Sequence, residues 1–525
     1  MSEILPRIAL PEVTLTDAPL EPAASGDVAA IAIPVHPAPD AGAPRLDGAG
    51  ERIAERYGVD LLAEASARAD ADGVAGTSGW TRTVRLPRAL AGHPPLPYEE
   101  LPAVVVLLGW GDGSPSAARR AGLCLGRAGA GLGRLALTLG DAVDAETLRA
   151  LVEGFLLAAY RMPRTGHSAV PGAEPARMLS LHGHVAGGAG ALAAARTAAR
   201  ATWLTRLLAA TPSSTKNPEW MARQATALVS DAPMTGGRLA VEVHDEDWLD
   251  RQGMEAMLAV GGGSATPPRL VVVTWTPDRP LRSVALVGKG ITYDTGGLSL
   301  KPREAMIPMK TDMAGSATVL SAVLAAADAG LPVRVSAVLP LAENALSGSA
   351  YRPGDVVRTF DGTTVEISNT DAEGRMVLAD AIGWVVDTLQ VGDVVDVATL
   401  TGAATLGLGR YHAALYADSD DLAAALIRAG QDAGEPAWRM PLVEDYRSAL
   451  ASDVADIGHA VKDPKVGGGS ITAALFLQRF TRQVRWAHLD IAGAGRAGKA
   501  DGELPAQAPT GFGARLLVRW LESLA

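Results

Sequence analysis

Two carboxylates and a guanidinium lie close together in the segment Asn369–Arg375, which reads NTDAEGR. Asp371 and Glu373 are two residues apart, and carboxylates this close repel each other unless a cation or a shared proton relieves them. Oxygen ligands in a loop of this kind suit a divalent metal ion. Asp, Glu, Gly and Asn are also ordinary turn residues, so the segment alone leaves a metal site and an exposed turn equally open.

Other charged side chains follow strand-like runs elsewhere in the chain. The run 283–288 resembles a strand, and Lys289, Asp294 and Lys301 come shortly after it. Asp312 precedes a helix-like run, where it could equally be a simple N-cap. Because ligands bind at the carboxyl ends of strands in open α/β sheets, we expect these side chains to converge with the acidic segment.

The converging set contains four carboxylates and three cationic side chains, namely Asp294, Asp312, Asp371, Glu373, Lys289, Lys301 and Arg375. Carboxylates without His or Cys suit hard divalent cations, and an added lysine amine also suits zinc or manganese. Two such ions could generate hydroxide near neutral pH and polarise an acyl or phosphoryl oxygen. The residues therefore predict a two-metal hydrolase and leave peptide and phosphoester substrates open.

The elements that must position these residues alternate between strand-like and helix-like runs, which is typical of an α/β layer structure with parallel strands. The expected strands are 80–86, 101–108, 134–139, 270–274, 283–288, 333–339 and 394–398. The expected helices are 116–128, 144–160, 191–210 and one that begins at Pro218 with Asn217 as its cap. We therefore predict an α/β fold with a mostly parallel central sheet in the catalytic half.

Length and patterning predict two domains, because 525 residues exceed one average hydrophobic core. Residues 1–50 form a poorly patterned segment with one strand-like patch at 29–34, and we expect much of the segment to be loosely ordered. A smaller N-terminal α/β domain is expected at 51–185 and a larger catalytic domain at 186–525. Residues 163–190 are interpreted as the connection between the domains.

Composition narrows the partners and the compartment. The formal net charge is −11 and the pI is about 5.4, which opposes binding to nucleic acid or to anionic membranes. No apolar run approaches the roughly 20 residues that span a bilayer, and the first residues lack a signal-peptide pattern. With one cysteine, Cys124, no disulfide can form within the chain. We therefore expect a soluble, cytoplasmic protein.

Four runs of the sequence resemble one known family. VGKGITYDTGGLSLKP, MKTDMAGSA, NTDAEGRMVLADA and WAHLDIAG are similar to the cytosolic leucine aminopeptidases, also called leucyl aminopeptidases, in the same order and with similar spacing. The resemblance covers about residues 205–525 and is specific, since seven charged positions match across independent segments. It implies a metalloprotease that removes leucine and other apolar residues from the free N-terminus of peptides.

The resemblance also implies a set of ligands for two divalent ions, Mn²⁺ or Zn²⁺. One ion would be held by Lys289, Asp294, Asp312 and Glu373. The other, more exchangeable ion would be held by Asp294, Asp371 and Glu373, with the main-chain carbonyl of Asp371. Asp294 and Glu373 would therefore bridge the two ions.

Catalytic roles follow from the same resemblance. Lys301 would stabilise the tetrahedral intermediate, and Arg375 would bind a bicarbonate ion that serves as general base. A hydroxide activated by the two metals would attack the first peptide carbonyl. A bicarbonate base would explain why these motifs leave no His or unassigned carboxylate that could act as general base.

Positions that line the pocket for the first side chain in the family are Met309, Thr399, Gly402, Ala492 and Gly495. In the family a bulkier residue can occur at the position of Gly495. At the position of Arg496, a neutral residue is commoner in the family. We therefore expect a pocket that is wider or more polar than a leucine-selective one. The resemblance further implies a homohexamer with active sites that face an interior cavity.

Three other interpretations remain. The charged cluster would also suit a two-metal phosphoesterase. Some relatives of these peptidases bind DNA, although the net charge weighs against a nucleic-acid partner here. Gly109–Gly113 follows a strand and precedes a helix, but it lacks the spacing of a nucleotide-binding loop.

His488 is expected to be a hydrogen-bonded core residue, and we assign no role to His412 and His459.

Overall fold

The computed structural model describes residues 5, 8–20, 28–38, 43–66, 74–140, 143–162, 173–232, 236–500 and 504–525. The chain forms two compact units, one of residues 8–200 and the other mainly of residues 201–525. Residues 163–172 of the expected connection lie outside the described residues.

The described strands of the first unit form one sheet in the order β1-β7-β6-β2-β5-β4, with β3 beside β2. They are β1 (Glu12–Thr16), β2 (Ala30–His36), β3 (Arg45–Leu46), β4 (Thr81–Arg85), β5 (Val104–Gly109), β6 (Arg134–Thr138) and β7 (Met178–His182). The described helices are α1 (Gly48–Tyr57), α2 (Leu61–Ser66), α3 (Pro115–Ala128), α4 (Ala145–Ala158) and the first part of α5 (Gly188–Ala210). All neighbours are parallel except the pairs that β3 and β4 form.

Two expectations about the first unit differ from the structure. Residues 1–50 contribute β1 and β2, and β2 lies between β5 and β6 inside the sheet. The strand-like patch at 29–34 matches β2, but its place inside the sheet depends on strands that are distant in the chain. Along the chain, the boundary between the two units falls after residue 200, inside α5, rather than at the expected position 186. The reason is that Ala191, Leu192, Ala195 and Ala199 on the first half of α5 pack into the core of the first unit.

The described strands of the second unit are β8 (Gly237–His244), β9 (Arg269–Pro277), β10 (Arg282–Gly288), β11 (Gly290–Asp294), β12 (Val333–Asn344), β13 (Val356–Arg358), β14 (Thr364–Glu366), β15 (Asp393–Ala398), β16 (Ala413–Ala417), β17 (Ala437–Arg439), β18 (Ile457–Gly458) and β19 (Arg485–Asp490). The main sheet has the order β17-β16-β19-β15-β10-β12-β9-β8, with β11 beside β12. The strands β13, β14 and β18 form a small separate sheet.

The described helices of this unit are α6 (Pro218–Asp231), α7 (Glu246–Gln252), α8 (Glu255–Gly261), α9 (Arg303–Met306), α10 (Ala314–Asp328), α11 (Gly374–Thr388), α12 (Gly402–Leu408), α13 (Asp420–Ala433), α14 (Gly469–Gln478) and α15 (Ala514–Glu522). Short 3₁₀ helices occupy Ile307–Thr311, Glu444–Leu450, Pro464–Val466 and Arg479–Thr481. Asn217 caps α6 as expected, because its side chain accepts a hydrogen bond from the main-chain N–H of Trp220.

Four parallel strands, β12, β10, β15 and β19, form the centre of the main sheet. Every residue of β15 and five consecutive residues of β10 are buried, so helices cover both faces of the sheet. The expected α/β fold with two domains and a mostly parallel sheet is confirmed, with antiparallel pairs towards the edges. Because the four strands are parallel, their carboxyl ends meet along one edge, at Asn344, Gly288, Ala398 and Asp490.

None of the described helices combines the length and the apolar character needed to cross a bilayer.

Candidate metal centre

Lys289 is the first residue after β10, and its side chain is buried among acidic groups. Its Nζ lies 2.9 Å from Asp312 Oδ2 and 2.8 Å from Glu373 Oε1. The amine also donates a hydrogen bond to the carbonyl of Thr399, 3.2 Å away. Burial alone would lower the pKa of Lys289, but the carboxylates of Asp312 and Glu373 raise it above its ordinary value. The ammonium group therefore occupies the space between two buried carboxylates.

Asp312 belongs to this cluster and is not a helix cap. The residue at the N-cap of α10 is Met313, and no side chain caps that helix. Instead, Asp312 Oδ1 accepts a hydrogen bond of 2.7 Å from the hydroxyl of Thr399, which follows β15. The ambiguity left by the sequence is thus resolved by a contact between loops that are far apart in the chain.

Asp294 ends β11 and is held by neutral donors on one oxygen. Asp294 Oδ1 accepts hydrogen bonds of 2.8 Å from the main-chain N–H of Gly296 and from the side-chain amide of Asn344. Its other oxygen, Oδ2, lies 2.9 Å from Lys301 Nζ. Burial and the nearby Glu373 raise the pKa of Asp294 above its ordinary value. The carboxylate is therefore fixed in orientation, with Oδ2 facing the charged cluster.

Lys301 pairs with two carboxylates from different loops, Asp294 and Asp371. Although burial opposes it, the charges of Asp294 and Glu373 raise the pKa of Lys301, so this amine is protonated at neutral pH. Its side chain is 13% exposed, against 4% for Lys289. Lys301 therefore lies nearer the open side of the cluster.

The acidic segment is anchored through Thr370. The hydroxyl of Thr370 donates to the carbonyl of Gly296 at 2.6 Å, and it accepts from the N–H of Ser299 at 2.8 Å. The carbonyl of Thr370 accepts bonds of 3.0 Å from the Asn344 amide and the Tyr351 hydroxyl. These contacts hold the segment against the loop after β11, so that Asp371 and Asp294 face each other.

Gly374 begins α11 directly beneath the amine of Lys289. A Cβ atom at this position would lie 2.5 Å from Lys289 Cε and 2.6 Å from Nζ. Only glycine lets the acidic segment approach Lys289 this closely. The residue after Glu373 is thus as constrained as the charged residues themselves.

Arg375 is almost fully buried in the first turn of α11. Its Nη1 donates a hydrogen bond of 2.8 Å to the carbonyl of His459, while its Nε has no hydrogen-bond partner among the described residues. Burial lowers the pKa of Arg375 to about 10, and Glu373 and Asp490 oppose that shift. A buried guanidinium with an unused N–H is suited to bind a small anion.

The charges and orphan atoms of the cluster fit divalent cations. The carboxylate oxygens of Asp294, Asp371 and Glu373 lie within 4.8 Å of one another. Four carboxylates face only two ammonium groups, and burial raises the pKa of each carboxylate. Asp312 Oδ2, Asp371 Oδ1 and Glu373 Oε1 are buried and lie within ion-pair distance of a lysine, yet they accept no well-oriented hydrogen bond. Such oxygens are suitable metal ligands.

The residues expected to line a pocket for the first side chain lie beside the cluster. Asp490 organises part of this wall, because its carboxylate accepts hydrogen bonds from the N–H groups of Leu400, Thr401 and Ala492. A Cβ on Gly495 would lie 3.5 Å from Cγ2 of Thr399. Met309, Thr399, Ala492 and Gly495 are buried, and Gly402 is exposed at the start of α12.

Several residues that hold the site were given no role in the sequence predictions, namely Asn344, Tyr351, Thr370, His459 and Asp490. Asn344 and Asp490 end central strands, so the rule that placed Lys289 at the edge of the sheet could have identified them. Thr370 and Tyr351 carry no charge, and only tertiary contacts reveal their role. His488 is fully buried and pairs with Asp396 through Nδ1 at 2.5 Å, which confirms the expected hydrogen-bonded core residue.

Sequence comparison relates the chain to a known family. Residues 203–518 match the model of the cytosol aminopeptidase family, catalytic domain. A probable cytosol aminopeptidase from Leifsonia xyli subsp. xyli is 44% identical over 407 residues, which are 75% of this chain and 80% of the relative. A probable cytosol aminopeptidase from Syntrophotalea carbinolica is 41% identical over 410 residues, covering 77% and 78% of the two chains.

Solved structures of similar fold agree with this relation. The bottromycin maturation enzyme BotP in complex with Mn has a TM-score of 0.78 at 34% identity and covers 95% of this chain and 99% of its own. A mutant of tomato leucine aminopeptidase has a TM-score of 0.83 at 27% identity, with 99% and 98% covered. The family model matches most of the second unit, and the two relatives at 44% and 41% identity cover 75% and 77% of the chain. The chain therefore belongs to the cytosol aminopeptidase family and is an N-terminal exopeptidase.

Proposed function

We propose that this aminopeptidase uses two divalent ions, Mn²⁺ or Zn²⁺, to remove leucine and other apolar residues from the free N-terminus of peptides. The observation that carries the proposal is the convergence of four carboxylates, three buried and Asp371 half-buried, around two lysines, with three carboxylate oxygens unsatisfied by well-oriented donors. The manganese complex of BotP, a structural relative, supports metal dependence.

The ligands that we assign to the first ion are Lys289, Asp294, Asp312 and Glu373, and those of the second are Asp294, Asp371 with its carbonyl, and Glu373. When bound, the ions supply Lewis acidity and lower the pKa of water near the scissile carbonyl. Thr399 and Asn344 orient Asp312 and Asp294 through hydrogen bonds of 2.7 and 2.8 Å, as outer residues of metal sites commonly do.

Lys301 stabilises the negative charge that develops on the carbonyl oxygen of the scissile peptide. Its raised pKa keeps the amine charged, and it lies nearer the open side of the cluster than Lys289. A fixed ammonium group in an enclosed site stabilises an oxyanion more strongly than water does.

Arg375 anchors a bicarbonate ion that acts as general base. The guanidinium keeps one N–H on the carbonyl of His459 and leaves Nε unused. His459, whose carbonyl accepts from Arg375, is unsuited to be this base, because burial and Arg375 lower its pKa to about 4 and its ring nitrogens contact the carbonyls of Asn369 and Glu366.

The first side chain of the peptide lies against Met309, Thr399, Gly402, Ala492 and Gly495. Two of these residues, Met309 and Ala492, offer apolar surface, while the two glycines leave room. We also infer a homohexamer in the cytoplasm, by analogy with the family, and sizing chromatography that gives a monomer would contradict the assembly.

The proposal is tested by hydrolysis of a leucyl anilide. Protein stripped of metal should be inactive, and activity should return with manganese, zinc or cobalt. Glu373→Gln should abolish the return, and N-acetyl-leucyl anilide should not be cleaved by any form. A phosphomonoester serves as the comparison substrate, since its hydrolysis in place of the anilide would favour the phosphoesterase interpretation. Equal cleavage of free and acetylated substrates would refute the proposal.

A further inference from the structure

Arg496 carries a guanidinium group that makes no ion pair with a described residue. Its Nε is enclosed by protein and donates no hydrogen bond. Arg496 as a whole is half-buried, and burying its Nε is costly because this N–H loses water without gaining an acceptor. A buried N–H without an acceptor is uncommon in native proteins, and a bound group that supplies the acceptor is one explanation for it.

The backbone around Arg496 is fixed, so the base of the side chain has a defined position. The N–H of Gly495 donates to the carbonyl of Ile491 at 2.7 Å, and the N–H of Ala497 donates to the carbonyl of Ala508 at 2.9 Å. Arg496 itself forms an antiparallel bridge with Pro509. Arg496 therefore starts from an ordered stretch of main chain, residues 495–497, which we call the wall.

This wall adjoins the proposed pocket for the first side chain. Arg496 follows Gly495, whose added Cβ would lie 3.5 Å from Thr399. Thr399 in turn holds Asp312 through a hydrogen bond of 2.7 Å. Arg496 therefore directly follows a residue of the proposed pocket, and its guanidinium is close enough to the metal centre for the charge of Asp312 to act on it.

A second arginine makes the same region more positive. An added Cβ on Gly498 would lie 2.9 Å from Cδ of Arg410, which is exposed just after α12. Arg410 also makes no ion pair with a described residue. Burial lowers the pKa of Arg496, the charge of Asp312 opposes this shift and the charge of Arg410 adds to it.

Asp312 is the carboxylate whose charge acts on Arg496, but its two oxygens are already engaged. Lys289 and the hydroxyl of Thr399 lie against its two oxygens, and the proposed metal would use it as well. The two arginines therefore retain capacity for another anion. A carboxylate suits this role, because a guanidinium can meet it with two parallel hydrogen bonds.

We propose that Arg496 is a specificity-determining residue that admits peptides beginning with glutamate, alongside those with apolar first residues. The methylene stem of glutamate lies against the apolar wall of Met309 and Ala492, and its carboxylate meets Arg496, with Arg410 adding attraction from the mouth of the pocket. The inference rests on the proposed aminopeptidase function and deepens its substrate class.

The test compares glutamyl, glutaminyl and leucyl anilides on manganese-loaded protein and on two variants. In the unaltered protein, kcat/KM for glutamyl should exceed that for glutaminyl by about tenfold, the effect of one charge-assisted contact. Arg496→Met should reduce that ratio to about one or below and leave leucyl hydrolysis within about threefold. Arg496→Lys should keep part of the preference, and Arg410→Met should lower it less than Arg496→Met does.

Arg334→Met is the matched control, since Arg334 lies at the amino end of β12, the opposite edge of the sheet from the site. It should leave all three activities unchanged. Binding of free glutamate and free leucine, measured by calorimetry, gives a second readout: Arg496→Met should weaken glutamate binding about tenfold and spare leucine.

The outcomes distinguish the role of Arg496 from the proposed aminopeptidase function. Leucyl hydrolysis with an unchanged glutamyl-to-glutaminyl ratio in Arg496→Met would overturn the role of Arg496 and leave the aminopeptidase function standing. Absence of hydrolysis of all three anilides would overturn the proposed function, and the calorimetric comparison would then decide whether Arg496 binds a carboxylate. If Arg496→Met does not fold, the substrate ratio in the unaltered protein and in Arg496→Lys decides the same question.

Discussion

The side-chain amide of Asn344 joins two loops of the metal centre by donating to Asp294 Oδ1 at 2.8 Å and to the carbonyl of Thr370 at 3.0 Å. Asp294 and the acidic segment, which contains Thr370, come from parts of the chain about eighty residues apart. One neutral side chain at the end of β12 therefore fixes the distance between proposed ligands of both ions.

Asn344→Ala should weaken metal binding, because Asp294 loses the donor that orients it. Loss of such an outer contact commonly lowers metal affinity about 10- to 100-fold. Titration of metal-free protein with Mn²⁺ in a calorimeter measures the change. Asn217→Ala, which removes only the cap of α6, is the control and should leave the affinity within about twofold. Equal affinities for Asn344→Ala and the unaltered protein would contradict the role of Asn344.

Gly374→Ala should disturb the metal centre more than its size suggests. The new Cβ would lie within 2.7 Å of the Lys289 side chain, and that side chain is pinned by Asp312 and Glu373. We expect Mn²⁺ affinity and leucyl hydrolysis to fall at least about tenfold, with a loss of stability of about 1–3 kcal/mol.

Gly383→Ala, in the same helix α11, is the matched control for this change. Its added Cβ would meet only Phe360, at an ordinary contact distance of 3.5 Å. It should raise the free energy of unfolding by about 0.5–1 kcal/mol through helix propensity and leave metal affinity unchanged. A Gly374→Ala protein that binds metal as tightly as Gly383→Ala would show that Lys289 is not needed where it lies.

Lys216→Met should destabilise the second unit. The Lys216 amine is fully buried and donates to the carbonyls of Leu208, Ala209 and Lys310, and burial lowers its pKa well below the ordinary value. The methionine would leave these acceptors without a donor, at a cost of about 3 kcal/mol. Urea denaturation measures the loss, and Arg223→Met on the exposed face of α6 should change stability by less than about 0.5 kcal/mol.

His488→Gln should lower stability in a pH-dependent way. Burial alone would lower the pKa of His488, but Asp396, with a smaller contribution from Asp490, raises it overall, while Arg375 opposes this. Because the folded pKa lies above the unfolded value of about 6.5, the stabilisation by the charged imidazole is complete below that value and is lost as the pH rises through the folded pKa.

The unfolding free energies of His488→Gln and the unaltered protein should therefore differ most at pH 6 and least at high pH. Urea titrations at pH 6, 7.5 and 9 measure this trend. His184→Gln is the control, since His184 is exposed and its partner Asp17 is exposed as well. A gap between His488→Gln and the unaltered protein that widens with pH would contradict the assignment.

Much of the fold could be predicted from the sequence, because the central strands are continuous apolar runs. β10 and β15 are buried on both faces, so their patterns need no knowledge of distant neighbours. β2 is equally buried, but short, uneven segments surround it, and its place in the sheet depends on pairing with β5 and β6.

The candidate site was predictable where charge and position coincide. Lys289 and Asp294 are ionisable residues in or near loops that follow strands, and such residues are conspicuous in a sequence. Asp312 remained ambiguous, because a helix cap and a metal ligand have the same local sequence, and only the hydroxyl of Thr399 distinguishes them. Asn344 escaped notice because a neutral amide gives no electrostatic signal.

Two glycines of the second unit show how differently this site can tolerate change over evolutionary time. A side chain at Gly374 would collide with Lys289, whereas a Cβ on Gly402 meets nothing within 4 Å. A larger residue at 402, in the proposed pocket, would therefore change which peptides bind and leave the proposed metal ligands in place. A side chain at 374 would instead weaken metal binding and activity, so we expect substrate preference to change more readily than the metal centre.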